Sequence, residues 1–277
     1  MSQSAVSHRV AEAERRLGRP LLDRSGPARR ARPTPAALAL YQTAARVLPE
    51  LVRAESDFIR SSPVAVEVVR IGVGSYDCYH WFPEFHRFVS ARMPDVLVEL
   101  AVVGDTPAGR LHEGAVDVVL ASGSPAGAFI TLPLFQDELM LVSHPDHHQA
   151  THPWIAPEAL EDEAYLTYSR NPAPGFEFER FVRPAGVHPR TVAVIESSTV
   201  IAEMVASGLG VSILNRWALA PAIEAGRIAA TRCGEDGLSL QWSALLRPNT
   251  TRDSAAYRVA ELLGTWLAEQ AILAPQS

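Results

Sequence analysis

The chain opens Ser2-Gln3-Ser4-Ala5-Val6-Ser7-His8-Arg9-Val10 and continues Ala11-Glu12-Ala13-Glu14-Arg15-Arg16-Leu17 to Gly18-Arg19-Pro20. Val6, Val10, Ala13 and Leu17 recur at i, i+4, i+7 and i+11, which is one face of a helix. Ser4, His8, Ala11 and Arg15 repeat the spacing on the opposite face. Ser2 suits an N-cap, and Gly18 followed by Pro20 supplies a stop. A short, well-delimited helix follows from these residues.

Its outward face carries small polar groups at the N-terminal end, the end that a helix lying in the major groove brings to base edges. Gln3 can pair bidentately with adenine, and Ser4, Ser7 and His8 add short donors and acceptors. Arg24, Arg29, Arg30 and Arg32, after the helix, would grip phosphates without reading sequence, and Arg9 within it is a further DNA-binding candidate. A basic amphipathic helix alone usually means a solvated surface. Here a basic, turn-forming stretch, Asp23 to Pro33, follows directly and reads as a hairpin-like loop.

Working outward, Thr34-Pro35 places a cap and a first-turn proline before a long helical pattern from Ala36 to about Arg60, which Pro49 should kink. Ala37, Leu40, Ala44, Val47, Leu51 and Phe58 form a stripe that a second copy of the chain would cover, the other reading being that it packs on the chain's own body. Ser61-Ser62-Pro63 reads as a linker. Beyond it strand-like and helix-like segments alternate, from Val68–Val73 through Leu139–Ser143 and Leu240–Leu246 to an amphipathic helix at Ser254–Ala271. That alternation argues for α/β architecture with mostly parallel sheets.

Charge divides along the chain. Residues 1–35 hold eight arginines against three acids, a net of +5, whereas residues from 63 onward hold 14 arginines against 25 acids, a net of -11. Such asymmetry signals a nucleic-acid or membrane partner. All 25 basic residues are arginine, which suits phosphate but also follows from a GC-rich genome. The two cysteines, Cys78 and Cys233, lie far apart and suggest neither a disulfide framework nor a thiolate zinc site. With no secretory leader pattern and no run approaching ~20 apolar residues, the expected location is cytoplasmic, with no membrane partner.

In open parallel sheets ligands sit beyond the carboxyl ends of strands, near helix N-termini that favour an anionic group. Three places qualify: Ser75, Tyr76, His80 and Trp81 after the first strand; Thr106 after the second; and Ser198-Thr199 at a helix start. Ser75 or Thr199 would suit an amino-acid carboxylate, with Ser122, Ser143 and Asn215 as secondary candidates. His80 and Trp81 read equally well as core side chains. His144, His147, His148 and His152 have metal-like spacing but read as a loop, so no metal is expected. Gly208-Leu209-Gly210 precedes a strand and is a helix stop, not a dinucleotide fingerprint. No acid/base or nucleophile constellation emerges, so the chain is read as a non-enzyme without a cofactor.

Ser2 to Val10, the Leu17-Gly18-Arg19-Pro20-Leu21-Leu22-Asp23-Arg24 run and Thr34-Pro35-Ala36 resemble the recognition helix, wing and linker-helix start of LysR-type transcriptional regulators. His8 stands where many members have Arg, and Leu22 where most have Phe. The resemblance covers the whole chain. It implies a partial winged helix-turn-helix (residues 1–35), a dimerising linker helix (36–62), and a two-subdomain, Rossmann-like effector-binding domain of periplasmic-binding-protein type. Its first subdomain would comprise residues 67–138 and 247–272 and its second residues 139–246. Partners would be promoter or operator double-stranded DNA, a small-molecule effector, and further copies of the chain in a homodimer or homotetramer.

Cys78 to Pro83, Arg183 to Pro189 and Met204 to Val211 resemble the branch of that family that controls methionine biosynthesis and responds to homocysteine, which makes homocysteine the leading effector. A helix-turn-helix needs earlier helices to bury the Val6, Val10 and Leu17 face, roughly 25 to 30 residues in that family. The expectation is therefore a truncated head, from a start codon assigned too late or in a regulator that retains ligand binding without DNA binding. The rival from another class is a solute-binding protein of transport, against which the basic N-terminal helix counts.

Overall fold

The computed structural model describes residues 3–23, 32–59, 66–74, 79–104, 107–123, 127–170 and 174–270, excluding the side chains of 3–5, 45, 46, 49, 50, 52, 53, 56, 57 and 59. It separates into two compact units, Met1–Ser61 and Ser62–Ser277.

In the first unit, α1 (Gln3–Leu17) stops where Gly18 turns left-handed at φ 65°. β1 (Leu22–Asp23) and β2 (Arg32–Pro33) pair antiparallel, Leu22 opposite Pro33 and Asp23 opposite Arg32. Glu14 anchors them to the helix: its Oε1 accepts from the backbone N–H groups of Leu21 at 2.8 Å and Leu22 at 3.1 Å. Thr34 caps α2 (Pro35–Ile59), its Oγ1 accepting from Ala37 N at 3.2 Å with Pro35 in the first turn. The helix runs without interruption past Pro49. Leu40, Val47, Leu51 and Phe58 of its stripe are exposed within this unit, Phe58 at 81%. The linker Ser61–Pro63 lies outside the described residues.

The second unit is built on a mixed sheet of order β4-β3-β5-β12-β6-β11-β7, with β10 also on β6. Its strands are β3 (Glu67–Val73), β4 (Val96–Val102), β5 (Val118–Ser122), β6 (Ile130–Ser143), β7 (Trp154–Ile155), β10 (Ser212–Asn215), β11 (Ala229–Cys233) and β12 (Leu238–Leu246). β8 (Ala164–Thr167) and β9 (Thr191–Val194) form a parallel pair bridged to the others through Tyr165 and Val211. The helices are α3 (Phe82–Arg92), α4 (Pro107–His112), α5 (Arg183–Ala185), α6 (Ser198–Ala206), α7 (Arg216–Glu224) and α8 (Ala255–Glu269). β3 reads as a nearly continuous apolar run because parallel neighbours and helices bury both its faces.

The expectation of mostly parallel sheets is corrected here: β12 runs antiparallel to β5 and β6, and β10 and β11 run antiparallel to β6. Sequence reading placed only Leu139 to Ser143 of β6 and missed the preceding nine residues. Pro133 lies there beside a bulge, where Phe135 faces Trp242 but Pro133 faces Ser243, so Leu134 is the extra residue. Core side chains change allegiance along the two long strands. Leu139 and Leu240 pack with residues of β8, β10 and α6, whereas Phe135, Trp242 and Ala244 pack with α3, α8 and β3.

Candidate functional site

β6 and β12 are the only described strands that carry core side chains of both clusters, and strand polarity places everything else around their crossing. β5 runs parallel to β6 and ends at Ser122, opposite Trp242, which in turn faces Phe135. β3 and β4 run the same way, so Val73, Val102 and Ser122 end on one side. On the other side β10 runs back along β6, its Asn215 level with Leu139, and β8 and β9 follow β10 in direction. Two sets of strand carboxyl ends therefore face each other. Four residues of β6 separate Ser122's level from Asn215's, about 13 Å at the usual strand rise. This is the arrangement in which open α/β sheets hold ligands.

Helix starts line the second set. Ser197 caps α6 by accepting from Val200 N at 3.3 Å, which puts Ser198 and Thr199 in its first turn. Ser198 is buried and Thr199 exposed. Asn215 begins α7, and the carboxylate of Asp137 on β6 supplies the cap instead, accepting from Trp217 N at 3.2 Å. Asp137 also accepts from Asn215 Nδ2 at 3.3 Å, Trp242 Nε1 at 3.1 Å and Glu138 N at 2.8 Å. Burial nevertheless pushes its pKa up, with those donors opposing the shift. One carboxylate thus ties β6, β12 and α7 together at the crossing.

An aromatic group surrounds this hub. Trp217 meets Phe135 at 4.9 Å and Trp242 at 5.2 Å between ring centroids, both edge-on, and stacks on Trp81 at 6.0 Å. Trp81 is 2% exposed and packs on Phe85, so the core alternative describes its ring. His80 places its ring 5.6 Å from Trp217, and burial lowers its pKa while Glu224 raises it. Two buried polar atoms, Asn215 Oδ1 and Trp217 Nε1, have no hydrogen-bond partner among the described residues.

The structure thus gathers Ser122, His80, Trp81 and Asn215 around the crossing, with Ser198 and Thr199 on the strand-end side of the second subdomain. It does not bring Ser143 there. Ser143 ends β6 four residues beyond Leu139, and its hydroxyl donates to His144 O at 3.2 Å. Ser75, Tyr76 and Thr106 lie outside the described residues, as do Arg24, Arg29 and Arg30 and the side chains of Gln3 and Ser4. Ser7, His8, Arg9 and Arg32 are exposed, while on the apolar face Val6 is 43% and Leu17 49% exposed within the first unit. Sequence reasoning missed Asp137 and Trp217, whose strand and helix patterns give no local signal of a shared hydrogen bond.

Among the described residues one group has metal-ligating types together: His147, His148 and Glu163, with ligand atoms within 4.8 Å of one another. His147 Nδ1 accepts from Gln149 N at 3.3 Å, so in the neutral ring Nε2 carries the proton and faces Glu163 Oε2 at 3.3 Å. That tautomer makes a hydrogen-bonded turn cap; a metal on Nε2 would place Nδ1–H against Gln149 N–H. Cys233 is buried and its thiol is pushed up to about 12, which makes it an unreactive small core side chain.

Glu177, also missed, is 1% exposed and its pKa is raised from 4.5 to about 7 by burial, with the Tyr168 hydroxyl donating to it at 3.2 Å. An acid whose folded pKa is raised favours the folded state at low pH, and this contribution is lost as pH rises from about 4.5 through about 7. Chemical denaturation at pH 5 and pH 8 should show a loss of roughly 2–3 kcal/mol from this group. Glu177→Gln should flatten that slope; an unchanged slope would show that another group sets it.

Two family models match the chain. Residues 65–268 match the LysR substrate binding domain, and residues 1–38 match the bacterial regulatory helix-turn-helix protein family of lysR type. The HTH-type transcriptional regulator MetR of Salmonella typhimurium is 30% identical over 247 residues, covering 88% of this chain and 74% of that protein. Among solved structures, the regulatory domain of MetR from N. meningitidis superposes with a TM-score of 0.60 at 23% identity, covering 74% of this chain and 96% of that one. A full-length OxyR from Pseudomonas aeruginosa gives 0.60 at 22% identity, covering 96% and 88%.

Proposed function

Because this chain belongs to the LysR family of bacterial transcriptional regulators, we propose that it controls genes of methionine or related sulfur metabolism in response to homocysteine held between the two sets of strand ends. The observation that carries this reading is the facing of Ser122 and Asn215 across the β6/β12 crossing, with the α6 start beside the second set. A helix start favours an amino acid's carboxylate. The MetR name of the relatives supports sulfur metabolism.

In this reading residues 67–138 and 247–272 move against residues 139–246, and α1 with the β1/β2 hairpin meets operator DNA. The exposed stripe of α2 joins copies into a dimer or tetramer. Since a ligand shifts conformations only by differential affinity, homocysteine must prefer one subdomain arrangement. No described helix is long and apolar enough to cross a membrane.

Calorimetry of the full chain with homocysteine should show saturable heat, weakened about tenfold by Thr199→Ala, a change worth about 1.4 kcal/mol. No heat from a folded protein removes homocysteine from consideration. Binding to DNA upstream of the gene should fall steeply with salt if phosphate contacts hold it. A flat salt dependence would overturn the DNA reading.

A further inference from the structure

A cavity of about 590 Å³ lies within the second subdomain, lined by β8, β9 and the helical segment 178–183, and apart from the β6/β12 crossing. Its volume is in the range that holds a small molecule. Tyr165 and Thr167 of β8 share a face with Val192 and Val194 of β9, since side chains on alternate strand positions point the same way. The helical segment opposite opens with a π-helical turn, Phe178–Val182, a form that recurs at functional sites.

Charge in this cavity is separated. Glu177 contributes a carboxylate to its lining while being 1% exposed, and among the described residues the side chain that donates to it is the neutral Tyr168 hydroxyl. Arg170 and Arg183 line it from exposed positions and make no ion pair among the described residues, while Glu179 is occupied by Gly175 N–H at 2.6 Å. Glu177 and Arg183 sit six residues apart, at the two ends of the π-helical turn, and both line the cavity. Apolar side chains, among them Phe178, Val182 and Val192, lie between.

We infer that this cavity is a second ligand site, for a carboxylate whose amine sits at the far end of a short aliphatic chain, as in an ω-amino acid or lysine. The ammonium would supply the counter-charge that Glu177 lacks, the carboxylate would meet Arg170 and Arg183, and the methylenes would lie along Phe178 and Val192. An α-amino acid such as homocysteine, with both charges on one carbon, cannot reach both ends. The site therefore stands or falls independently of the homocysteine reading.

The titratable groups facing Glu177 are Tyr165, Tyr168 and Cys233, with Arg170, Glu179 and Arg183 around the cavity. Tyr165 is raised well above 10 and Cys233 to about 12, whereas Glu177 is raised to about 7. Calorimetry of the full chain with 6-aminohexanoate should give affinity that rises about tenfold from pH 6 to pH 8 as Glu177 ionises. Pentylamine and hexanoate, each lacking one charge, should bind at least tenfold more weakly. Glu177→Gln should abolish the pH dependence and weaken binding at least tenfold with an unchanged circular dichroism spectrum, and Arg170→Ala with Arg183→Ala should weaken 6-aminohexanoate but not pentylamine. Absence of binding to the folded chain at pH 8, or equal binding by Glu177→Gln or by hexanoate, would overturn the inference.

Discussion

Asp137→Ala is expected to lower the stability of the second unit by about 4 kcal/mol and its Tm by roughly 10 °C. The carboxylate accepts from Trp217 N, Asn215 Nδ2 and Trp242 Nε1, and truncation leaves those donors without an acceptor in a protein interior. Each buried donor so stranded costs about 1–3 kcal/mol, and α7 loses its cap as well. Asp137→Asn, which keeps one carbonyl oxygen but turns an amide N–H₂ toward donors, should lose about half as much. Urea unfolding followed by tryptophan fluorescence measures both, because Trp217 and Trp242 sit on the hub. A loss below about 1 kcal/mol for the alanine variant would show that the hydrogen bonds do not hold the crossing.

The second large effect is expected at Gly210. A Cβ there would overlap the carbonyl oxygen of Ala164, which accepts the Val211 N–H at 2.9 Å and so attaches β8 beside β10. Backbone cannot yield as a flexible side chain does, so Gly210→Ala should cost about 4 kcal/mol or prevent folding of the second unit. Gly208, two residues earlier, makes the informative control. It sits at φ +71° with nothing within 4 Å of an added methyl, so Gly208→Ala should cost only about 1 kcal/mol, from backbone strain. Both positions have positive φ, +71° and +157°, so in thermal melts the excess loss of Gly210→Ala over Gly208→Ala reads the added steric conflict; equal losses would remove the steric account of Gly210.

The same pair shows what sequence can and cannot reveal. Gly208 as a helix stop is legible because a left-handed residue after a helical pattern needs glycine; at Gly210 a φ of +157° is joined by the carbonyl of Ala164, 46 positions away, and that contact leaves no local trace. Most elements were readable from similar local signals: the cap at Thr34, the helix start at Ser198 and Thr199, and the apolar patterns of β3 and α8. Strand direction was not, because alternation along the chain does not say which strands become neighbours. β12 enters between β5 and β6, and β6 lies between β12 and β11, so the antiparallel pairs of the sheet join strands that are not consecutive in the chain. Ser122, Asn215 and Thr199 could be found from strand ends and helix starts. Asp137 and Glu177 could not, since an acidic residue acquires its meaning only from the burial that tertiary packing imposes.

The paired strands β6 and β12 also restrict how one subdomain can move against the other. Their ladder runs from Leu238 opposite Leu139 to Leu246 opposite Ile130, and a slip of one residue would turn every side chain to the wrong face. Sliding is therefore closed as a coordinate, and the pair behaves as a torsion spring. The bulge at Trp242 and Ser243 is its soft point, where extra twist is already wound in. In the function proposed above, a molecule held across the crossing would act by changing the twist of this pair.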